Sequence, residues 1–530
     1  MKSFLNTLKT LQKRKVYYNQ LATTLKKITP NPPAEITKYH NILFCPVTLA
    51  EVNTIREGII AKYISRYDIK VAMLYDDLFH PISTFYKNKI EFLATNLKIN
   101  QNINFCQSAG LSTIRLSSSN KTIPNVSKPA IDATLPDFEY QGIKIGDLIV
   151  SEVIRKVKCF APQWEDAHFR SETEKSIEAA IRYVHLYQDL LHKGKYDKIV
   201  MSHAIYLNWG ILFRLARSKG LPVDVYNGSY RKNTIRFYHN VPNAPMPEHN
   251  WPLVENLPLN AQQQAKVDAY IETRVTQKND NISLFSGEES NTQQLYQRIE
   301  QFQQKGATIF ALYPNIAWDA YSFSGEAAVF ESMRAWLEQT IEYFQKNQEH
   351  LLIIKAHPAE AYFKVPMQYR VRAVVAQYEL PENILFLDET VKINSFKLYD
   401  TIDYGIINIS TVGLELALKS KTVLTSGAKG QYSNKGFTLD PESKESYFEM
   451  IDQLSQKQLT FEPDLEAAHR YLYFRFIREA LELDFLNLEN IYSFNSIQMN
   501  SLEELDDHAS FQTIIKGILT DALFLNPDDQ

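Results

Sequence analysis

Cysteine is scarce in this chain. The 530 residues contain three cysteines, Cys45, Cys106 and Cys159, and no two of them form a Cys-x-x-Cys pair. Disulfide-stapled secreted domains and zinc knuckles both need closely spaced cysteine pairs, so the sequence argues against these two classes. The scarcity fits a reducing compartment, and we expect a cytoplasmic protein.

Long apolar runs are absent as well. No stretch approaches the roughly 18 apolar residues of a membrane-spanning helix, and the N-terminus lacks the apolar core of a secretory signal. Residues 1–35 instead predict a basic amphipathic helix, whose apolar residues near helical spacing are Phe4, Leu5, Leu8 and Leu11. Such a helix either packs on its own domain or lies on an anionic surface, so peripheral association with the inner membrane is one hypothesis.

Common signatures of nucleotide chemistry are missing too. The chain has neither GxxxxGK[ST] nor GxGxxG, which argues against a P-loop and against the usual dinucleotide turn. It also lacks an Asp-x-Asp triplet, the carboxylate set expected of a metal-dependent sugar transferase. We therefore expect no metal ion, with a phosphate neutralised by side-chain donors and by a helix N-terminus.

Neither sign of charge is in large excess. The net charge is -4, and the 22% of charged and 45% of hydrophobic residues describe a globular chain. Nothing in this balance calls for nucleic acid as a partner. A chain of 530 residues is too long for one ordinary core, so its length predicts two domains.

Short apolar runs alternate with helical patterns in two successive sets. The first set contains NILFCPV, KVAMLYDD, KIVMSH and LPVDVYN, and the second contains ATIFALYPN, LLIIKAHP, NILFLD, YGIINI and TVLTS. This alternation predicts an α/β protein with parallel sheets. We expect an N-terminal α/β domain at 36–245, a linker and helical excursion at 246–305, a second α/β domain at 306–455, and C-terminal helices at 456–530.

Polar residues follow the run LLIIK directly. Pro358 disfavours helix at His357 and should hold the histidine in an extended turn at the carboxyl edge of the sheet, where ligands of open parallel sheets bind. The imidazole either contacts a phosphate oxygen, protonates a leaving group, or is simply structural. Lys355 and Glu360 flank it as candidates for a phosphate contact and for a ribose or acceptor contact.

A second polar pair opens a helix. Ser410 and Thr411 follow YGIINI and precede VGLELALKS, the position at which unpaired N-H groups favour an anion. Gly413 would allow close approach of a ligand or of neighbouring backbone. The alternative is an ordinary Ser or Thr cap, which many helices have.

Five blocks of the sequence carry a resemblance to a known family. They are SHAIYLNWGILFRLARSKGLPVDVYNGSYRKNT, ALYPNIAWDAYSFSGEAAVFESMRAWLEQTI, IIKAHPAE, LPENILFLDETVKINSFKLYDTIDYGIINISTVGLELAL and SGAKGQYSNKGFTLDPESKESY. In order and spacing they resemble the bacterial capsule polysaccharide biosynthesis proteins, a glycosyltransferase group that includes the transferases for the eight-carbon acidic sugar Kdo. The resemblance covers roughly residues 195–450, and the block order is also similar to that of sialyltransferases that use CMP-sugars.

The resemblance implies a GT-B fold, with two Rossmann-like domains facing across a cleft and extra helices at both termini. It implies that the second domain holds the donor nucleotide, with His357 at the phosphate. By the same resemblance, the remaining donor contacts are Asp388 or Glu389 at the ribose or base, Ser410 and Thr411 at the phosphate, and Glu415 as a second ribose candidate. We further expect Tyr432 and Thr438, in the loop GQYSNKGFT, to close over the donor.

Three groups are candidates for catalysis and acceptor binding. Asp319, after ALYPNIAW, could deprotonate an acceptor hydroxyl, or it is a turn residue. His203 follows KIVMS at the edge of the first sheet and is the alternative base. Arg231 and Lys232, after the Asn-Gly turn, would suit an acidic acceptor.

We therefore expect a glycosyltransferase that needs no cofactor beyond its nucleotide-sugar co-substrate, with a CMP-linked acidic sugar favoured as the donor. The acceptor would be a surface polysaccharide or its lipid-linked primer. One alternative is a UDP- or GDP-sugar donor. Others are a polysaccharide-assembly protein without turnover, a nucleotide-sugar epimerase and a polyol-phosphate transferase.

Overall fold

The computed structural model describes residues 2–26, 37–78, 89–119, 124, 126–242, 250–276, 289–319, 329–427, 431–490 and 493–527, with backbone alone at 2–10, 89–92, 489, 490 and 493. The chain forms two compact units. Unit 1 comprises Met1–Lys156, Trp164–Ala244 and Phe476–Gln530, and unit 2 comprises Val157–Gln163 and Pro245–Arg475.

Unit 1 takes most of its helices and strands from the first half of the chain. In chain order these elements are α1 (Lys2–Lys26), β1 (Asn41–Cys45), α2 (Glu51–Ile64), β2 (Lys70–Tyr75), α3 (Lys89–Ser108), β3 (Ser112–Arg115), β4 (Glu139–Tyr140), β5 (Ile143–Lys144), α4 (Gly146–Val157), α5 (Ala167–Gly194), β6 (Lys198–Ser202), α6 (Leu207–Ser218), β7 (Val223–Gly228) and β8 (Thr234–His239).

Unit 2 follows with its own alternation of helix and strand. Its elements are α7 (Ala261–Thr276), α8 (Gln293–Gln304), β9 (Ile309–Tyr313), α9 (Met333–Lys346), β10 (Leu351–Lys355), α10 (Ala359–Tyr362), α11 (Val371–Val375), β11 (Ile384–Leu387), α12 (Ser395–Tyr399), β12 (Tyr404–Ile407), α13 (Val412–Leu418), β13 (Thr422–Thr425), α14 (Lys444–Ser455) and α15 (Leu465–Leu472).

The chain then returns to unit 1 through a π-helix at Tyr473–Arg478. The returning segment contains β14 (Leu481–Glu482), β15 (Leu486–Asn490), β16 (Ser493–Ile497) and α16 (Ala509–Thr520). The expectation that 456–530 consists of C-terminal helices is therefore corrected, because this region contains three strands. One of them, β14, extends the sheet of unit 1.

Each unit is built on one parallel sheet. The order in unit 1 is β14-β8-β7-β6-β1-β2-β3, in which β8 and β14 are the antiparallel additions at one edge. The order in unit 2 is β11-β10-β9-β12-β13, with every pairing parallel. In both sheets the chain starts in the middle and reverses direction, which confirms the predicted pair of Rossmann-like domains.

The apolar runs form strands because the sheets are covered on both faces. All five residues of β9 and all five of β10 are buried, as a parallel sheet between helices requires. The covering helix α9 begins where the Ser332 side chain accepts a hydrogen bond from the Ala335 N-H. Its buried face, which includes Trp336 and Phe344, packs into the core of unit 2.

The segment 246–305 is not a separate linker. Both of its helices, α7 and α8, belong to unit 2, and α8 packs against β9 through a buried face that includes Leu295 and Ile299. The sequence pattern predicted a linker because only a few apolar residues of α8 are buried, and glutamines make up much of the rest of the helix. A single apolar stripe is enough to dock a helix that is otherwise polar.

Helix α1 packs within unit 1, against α3. Leu11, Tyr18 and Leu25 are buried, and Arg14, a basic residue of the same helix, is also buried and donates to the Tyr18 hydroxyl at 2.8 Å. The side chains of Phe4, Leu5 and Leu8 lie outside the described residues. Within the described part of the chain, none of the helices combines the length and apolar character needed to cross a bilayer.

Candidate functional site

A cavity of about 160 Å³ opens within unit 2 at the carboxyl ends of its central strands. Its lining comes from the residues that follow β9, β10 and β12, together with α7, α12 and the segment before α12. The lining residues are Arg274, Glu289, Tyr313, Pro314, Lys355–Pro358, Val391–Ser395, Tyr399, Ser410–Val412 and Glu415.

The cavity lies where the strand order of unit 2 reverses. Strand β9 is hydrogen-bonded to β10 on one side and to β12 on the other, and the connections leave these neighbours in opposite directions. The loops beyond the two strands therefore diverge and leave a crevice, which is the usual ligand position in open α/β sheets. The sheet topology alone thus favours this place for a small-molecule ligand.

His357 lines the cavity beyond β10. Its Nδ1 accepts a hydrogen bond from the Ala359 N-H at 3.1 Å, so in the neutral ring the proton sits on Nε2. Burial, assisted by the Lys355 charge, lowers the pKa of His357 to about 4. At neutral pH the side chain is therefore an uncharged imidazole whose Nε2-H is a donor.

Lys355 places a cation beside this imidazole. Its Nζ donates to the carbonyl of Ala356 at 3.1 Å and to that of Asp388 at 3.4 Å. Burial lowers the pKa of Lys355 to about 8, and the negative charges of Asp388, Glu389 and Glu360 oppose this effect. The side chain is still a cation at neutral pH, in a setting with little water to screen it.

Glu360 and Glu389 stand behind the cavity instead of lining it. The Glu360 carboxylate is fully buried and accepts from the Val371 N-H at 3.2 Å. Glu389 is paired with Arg370 at 2.6 Å and with Arg372 at 3.4 Å. These hydrogen bonds and ion pairs give both carboxylates a structural role. Neither residue lines the cavity, where ribose or acceptor contacts were predicted.

The opposite wall carries an ion pair that the sequence did not suggest. Arg274, at the end of α7, pairs with Glu415 of α13, and the Tyr399 hydroxyl donates to the second oxygen of Glu415 at 2.7 Å. All three side chains line the cavity. Glu415 is thus present at the site as predicted, but both of its oxygens are engaged by protein donors.

Ser410 and Thr411 line the cavity between these two walls. The Ser410 hydroxyl oxygen accepts from the Val412 N-H at 3.3 Å, and α13 begins at Val412. Gly413 is buried behind them. A Cβ there would stand 2.4 Å from the Ile407 side chain, so close packing of α13 on β12 explains the glycine better than a ligand does.

Three other predicted donor contacts lie away from the lining. Tyr432 is buried against Tyr471 and Phe437, and the Thr438 hydroxyl donates to the Asp440 carboxylate at 3.1 Å. Residues 428–430 of the same loop lie outside the described residues. Asp388 caps its own turn by accepting from the Thr390 N-H at 2.7 Å, and it pairs with Arg372. The structure gives each of these residues a local packing or turn role.

The predicted catalytic and acceptor residues fall in different units. Asp319 is an exposed residue of unit 2 outside the cavity lining. His203 is in unit 1, half-buried, with its ring edge-on to Tyr206 at 5.5 Å. Lys232 is exposed in a turn.

Arg231 also has partners that the sequence did not suggest. Its Nε donates to the carbonyl of Phe476 at 2.9 Å, and its guanidinium pairs with Glu482 at 2.9 Å. Arg231 therefore anchors the segment that returns to unit 1, and its role in acceptor binding stays a prediction.

One acidic residue of unit 1 has a setting that suits catalysis. Asp76 follows β2 directly, accepts from the Tyr183 hydroxyl and from the Leu78 N-H, and has its pKa raised chiefly by burial. Tyr183 in turn stacks on Tyr187, with ring centroids 5.4 Å apart. The signal available in the sequence was the pair Asp76-Asp77 at the end of the run KVAMLY, at the same type of sheet edge as His357.

The charges around the cavity favour an anion. Arg274, Lys355 and Lys392 are the cations of the lining; Glu415 is matched by Arg274, and the exposed Glu289 by Lys397 at 2.9 Å. Among the residues that the structure describes, no cluster of three or more His, Cys, Asp or Glu side chains is arranged to hold a metal ion. The polar groups that converge here are Nε2-H, ammonium and hydroxyl donors, which are the groups that bind phosphate oxygens.

Residues 252–474 match the model of the capsule polysaccharide biosynthesis protein family. The family resemblance is thereby confirmed for this part of the chain, which holds the whole cavity lining. The matched region begins after the first of the five sequence blocks and extends beyond the last.

Comparison with solved structures gives weaker likenesses. The KpsC β-Kdo 2,4 transferase of Thermosulfurimonas dismutans shares 12% identity over 52% of this chain and 79% of its own, with a TM-score of 0.33. The β-Kdo 2,7 transferase of KpsC from the same organism also shares 12%, over 60% and 86%, with a TM-score of 0.32. The UDP-GlcNAc 2-epimerase of Neisseria meningitidis shares 11%, over 82% and 98%, with a TM-score of 0.23. No curated protein matches.

Glu360→Gln should stabilise the protein in a pH-dependent way. Burial raises the pKa of Glu360 to about 7 from an ordinary value of 4.5, so the charged carboxylate lowers the stability of the native state as pH rises from 4.5 to 7 and beyond. Glutamine keeps an oxygen for the Val371 N-H and carries no charge. We expect a gain of up to about 3 kcal/mol in unfolding free energy at pH 8, and little gain below pH 4.5.

Urea unfolding at several pH values would measure this gain. Glu389→Gln is the matched control: the same substitution at a buried carboxylate that two arginines neutralise should lower stability instead. A gain for Glu360→Gln that does not grow between pH 5 and pH 8 would contradict the prediction.

Proposed function

We propose that this protein is a metal-independent glycosyltransferase of the GT-B type that transfers an acidic sugar from a CMP-linked donor. The observation that carries the proposal is the cavity at the strand-order reversal of unit 2, where Lys355, the neutral His357 and the hydroxyls of Ser410 and Thr411 converge. These groups match the oxygens of a nucleotide phosphate, and the matched family works on capsule polysaccharide.

In this proposal the chemistry is leaving-group stabilisation. Breaking the bond between the sugar and the CMP phosphate leaves negative charge on the phosphate oxygen. Lys355 neutralises that charge, and the Nε2-H of His357 donates to the same phosphate group. The bound anion would raise the pKa of His357 from about 4, so the imidazole becomes easier to protonate when the donor is bound.

The acceptor needs a base to deprotonate its attacking hydroxyl. We favour Asp76 over His203 and Asp319 for this role. Asp76 lies at the carboxyl edge of the unit 1 sheet and is half-buried, and its raised pKa makes the carboxylate a stronger base than an exposed one. Tyr183 holds the carboxylate in place. The acceptor would be a saccharide or glycolipid, presented on the cytoplasmic side of the membrane.

Calorimetry with CMP, CDP, UDP and GDP against the wild type and His357→Ala tests the donor site. We expect CMP to bind most tightly, and His357→Ala to weaken that binding by roughly tenfold, the value of one hydrogen bond to a charged group. The control is His350→Ala, because His350 lies in unit 2 before β10, away from the cavity lining.

The outcomes separate the candidate functions. Preference for UDP or GDP would keep the site and overturn the CMP assignment. Consumption of donor without a new glycosidic bond would favour epimerase or polyol-phosphate chemistry. Binding of saccharide with no nucleotide binding at all would overturn the proposal in favour of an assembly protein without turnover.

A further inference from the structure

A buried arginine of unit 1 has no anionic partner among the described residues. Arg56, in the second turn of α2, is 7% exposed. Within that part of the chain no carboxylate lies within ion-pair distance of its guanidinium, and its buried Nε has no hydrogen-bond acceptor. Burial lowers the pKa of Arg56 to about 10, which leaves it fully charged at neutral pH.

The polar groups around Arg56 do not supply the missing charge. The Tyr226 hydroxyl donates to Glu57 Oε1 at 2.5 Å and accepts from the Asn53 side chain at 2.8 Å. Glu57 is fully buried, and burial raises the pKa of its carboxyl well above the ordinary range, which disfavours the charged form. The cluster formed by Arg56, Glu57, Asn53 and Tyr226 therefore holds a buried guanidinium that no carboxylate of the described residues meets at ion-pair distance.

Two other buried arginines of unit 1 are compensated, whereas a third, Arg236 of β8, is buried with its Nε and Nη1 lacking hydrogen-bond partners among the described residues. Arg66, two residues beyond the end of α2, pairs with Asp506 at 2.7 Å. Arg14 pairs with Glu51 at 3.6 Å. Taking an isolated charge out of water costs several kcal/mol unless an opposite charge meets it, so an unmatched guanidinium in this position indicates an anion that binds later.

The position of the cluster is that of a ligand site. Helix α2 follows β1, the strand at which the order of the unit 1 sheet reverses, and Asn53 lies in its first turn. Tyr226 lies towards the carboxyl end of β7, in the same sheet. The cluster is thus close to the carboxyl edge of the unit 1 sheet, as the cavity is in unit 2.

We propose that Arg56 is the anchor of an anion site in unit 1, built with Asn53 and Tyr226, that takes the carboxylate of an acidic sugar or the phosphate of a glycolipid. A guanidinium donates two parallel hydrogen bonds to a carboxylate or to a phosphate. The Asn53 amide and the Tyr226 phenol beside it supply hydrogen bonds to neighbouring hydroxyls of the ligand. The identification of this ligand as the acceptor rests on the proposed function. The existence of the anion site does not depend on it.

The test uses protein whose unit 2 site has been disabled by Lys355→Met. Thermal unfolding is followed with glucuronate, with inorganic phosphate and with uncharged glucose. We expect glucuronate or phosphate, and not glucose, to raise the melting temperature. Adding Arg56→Met should abolish that rise and should itself leave the melting temperature of the unliganded protein unchanged or higher.

Arg66→Met, at a paired arginine of similar burial, is the matched control. It should lower the melting temperature and leave the anion-dependent rise intact. An anion-dependent rise that persists in Arg56→Met overturns the proposal, as does an Arg56→Met protein as destabilised as Arg66→Met. A response to glucuronate alone selects the sugar carboxylate, and a response to phosphate alone selects the lipid phosphate. Because Lys355→Met already removes donor binding, failure of the donor assignment leaves this result unaffected.

Discussion

Lys355→Met should abolish nucleotide binding in unit 2 and leave the protein at least as stable as the wild type. The ammonium group is a buried cation of the cavity, and it stands beside His357 in the position where the donor phosphate is expected. Removing a hydrogen-bonded charge that faces a bound anion costs about 2 to 5 kcal/mol, which corresponds to a loss of affinity of roughly 30-fold to several thousandfold.

The stability of Lys355→Met follows from the same burial. The pKa of Lys355 is about 8 in the native protein, against an ordinary value of 10.5. Between pH 8 and pH 10.5 the lysine is therefore protonated in the unfolded chain and largely neutral in the native protein. The charge therefore destabilises the native state fully below pH 8, and this penalty fades as pH rises towards 10.5. Methionine has similar length and no charge, so we expect a gain of up to about 3 kcal/mol at pH 7.

Calorimetry gives the affinity, and urea unfolding at pH 7 and pH 10 gives the stability. Lys392→Met is the matched control, because Lys392 is an exposed cation of the same cavity and should contribute less to both quantities. Unchanged nucleotide affinity in Lys355→Met would place the phosphate elsewhere. A large loss of stability would show that Lys355 is a structural cation.

The architecture was predictable from the sequence because burial imposes patterns within single elements. Strands covered on both faces are continuous apolar runs such as LLIIK, and the residues that follow them must lie at one edge of the sheet. This rule found His357, Ser410 and Thr411, all of which line the cavity. It applied equally to Asp76, whose importance becomes visible only when its burial and its partner Tyr183 are known.

What the sequence did not predict depends on contacts between distant segments. Arg274 is 141 residues from its partner Glu415, and no local pattern marks either residue as half of a pair. Arg231 is 245 residues from the Phe476 carbonyl that it binds, so its local sequence indicates an exposed ligand-binding arginine. The glycines around Tyr432 and Thr438 predict a mobile loop, but the side chains of these two residues are buried.

Lys198→Met should strongly destabilise unit 1. Lys198 is fully buried at the start of β6, where its Nζ pairs with Asp224 and with Asp521, each at 2.8 Å, and donates to the Ile518 carbonyl at 2.9 Å. Removing it leaves Asp224, which is 1% exposed, paired with the His239 imidazole at 2.7 Å. Breaking a buried pair in this way costs about 3 to 5 kcal/mol.

The loss should also depend on pH, and the sign is set by His239. Burial lowers the pKa of His239, but the Asp224 carboxylate and the Ala522 carbonyl together raise it above its ordinary 6.5, while the Lys198 charge lowers it. Without Lys198 the imidazole takes up a proton more readily and becomes the counter-ion of Asp224. Its contribution is present below pH 6.5 and is lost as pH rises through the raised pKa, so Lys198→Met should lose more stability at pH 8 than at pH 6.

Urea unfolding of Lys198→Met at pH 6 and pH 8 measures both effects, and Lys38→Met provides the control. Lys38 pairs with the same Asp521, at 3.2 Å, but its side chain is 55% exposed, so its removal should change stability by less than about 1 kcal/mol. Equal losses for the two variants would mean that burial of Lys198 adds nothing to its ion pairs. A loss for Lys198→Met that is the same at both pH values would mean that His239 does not replace the missing charge.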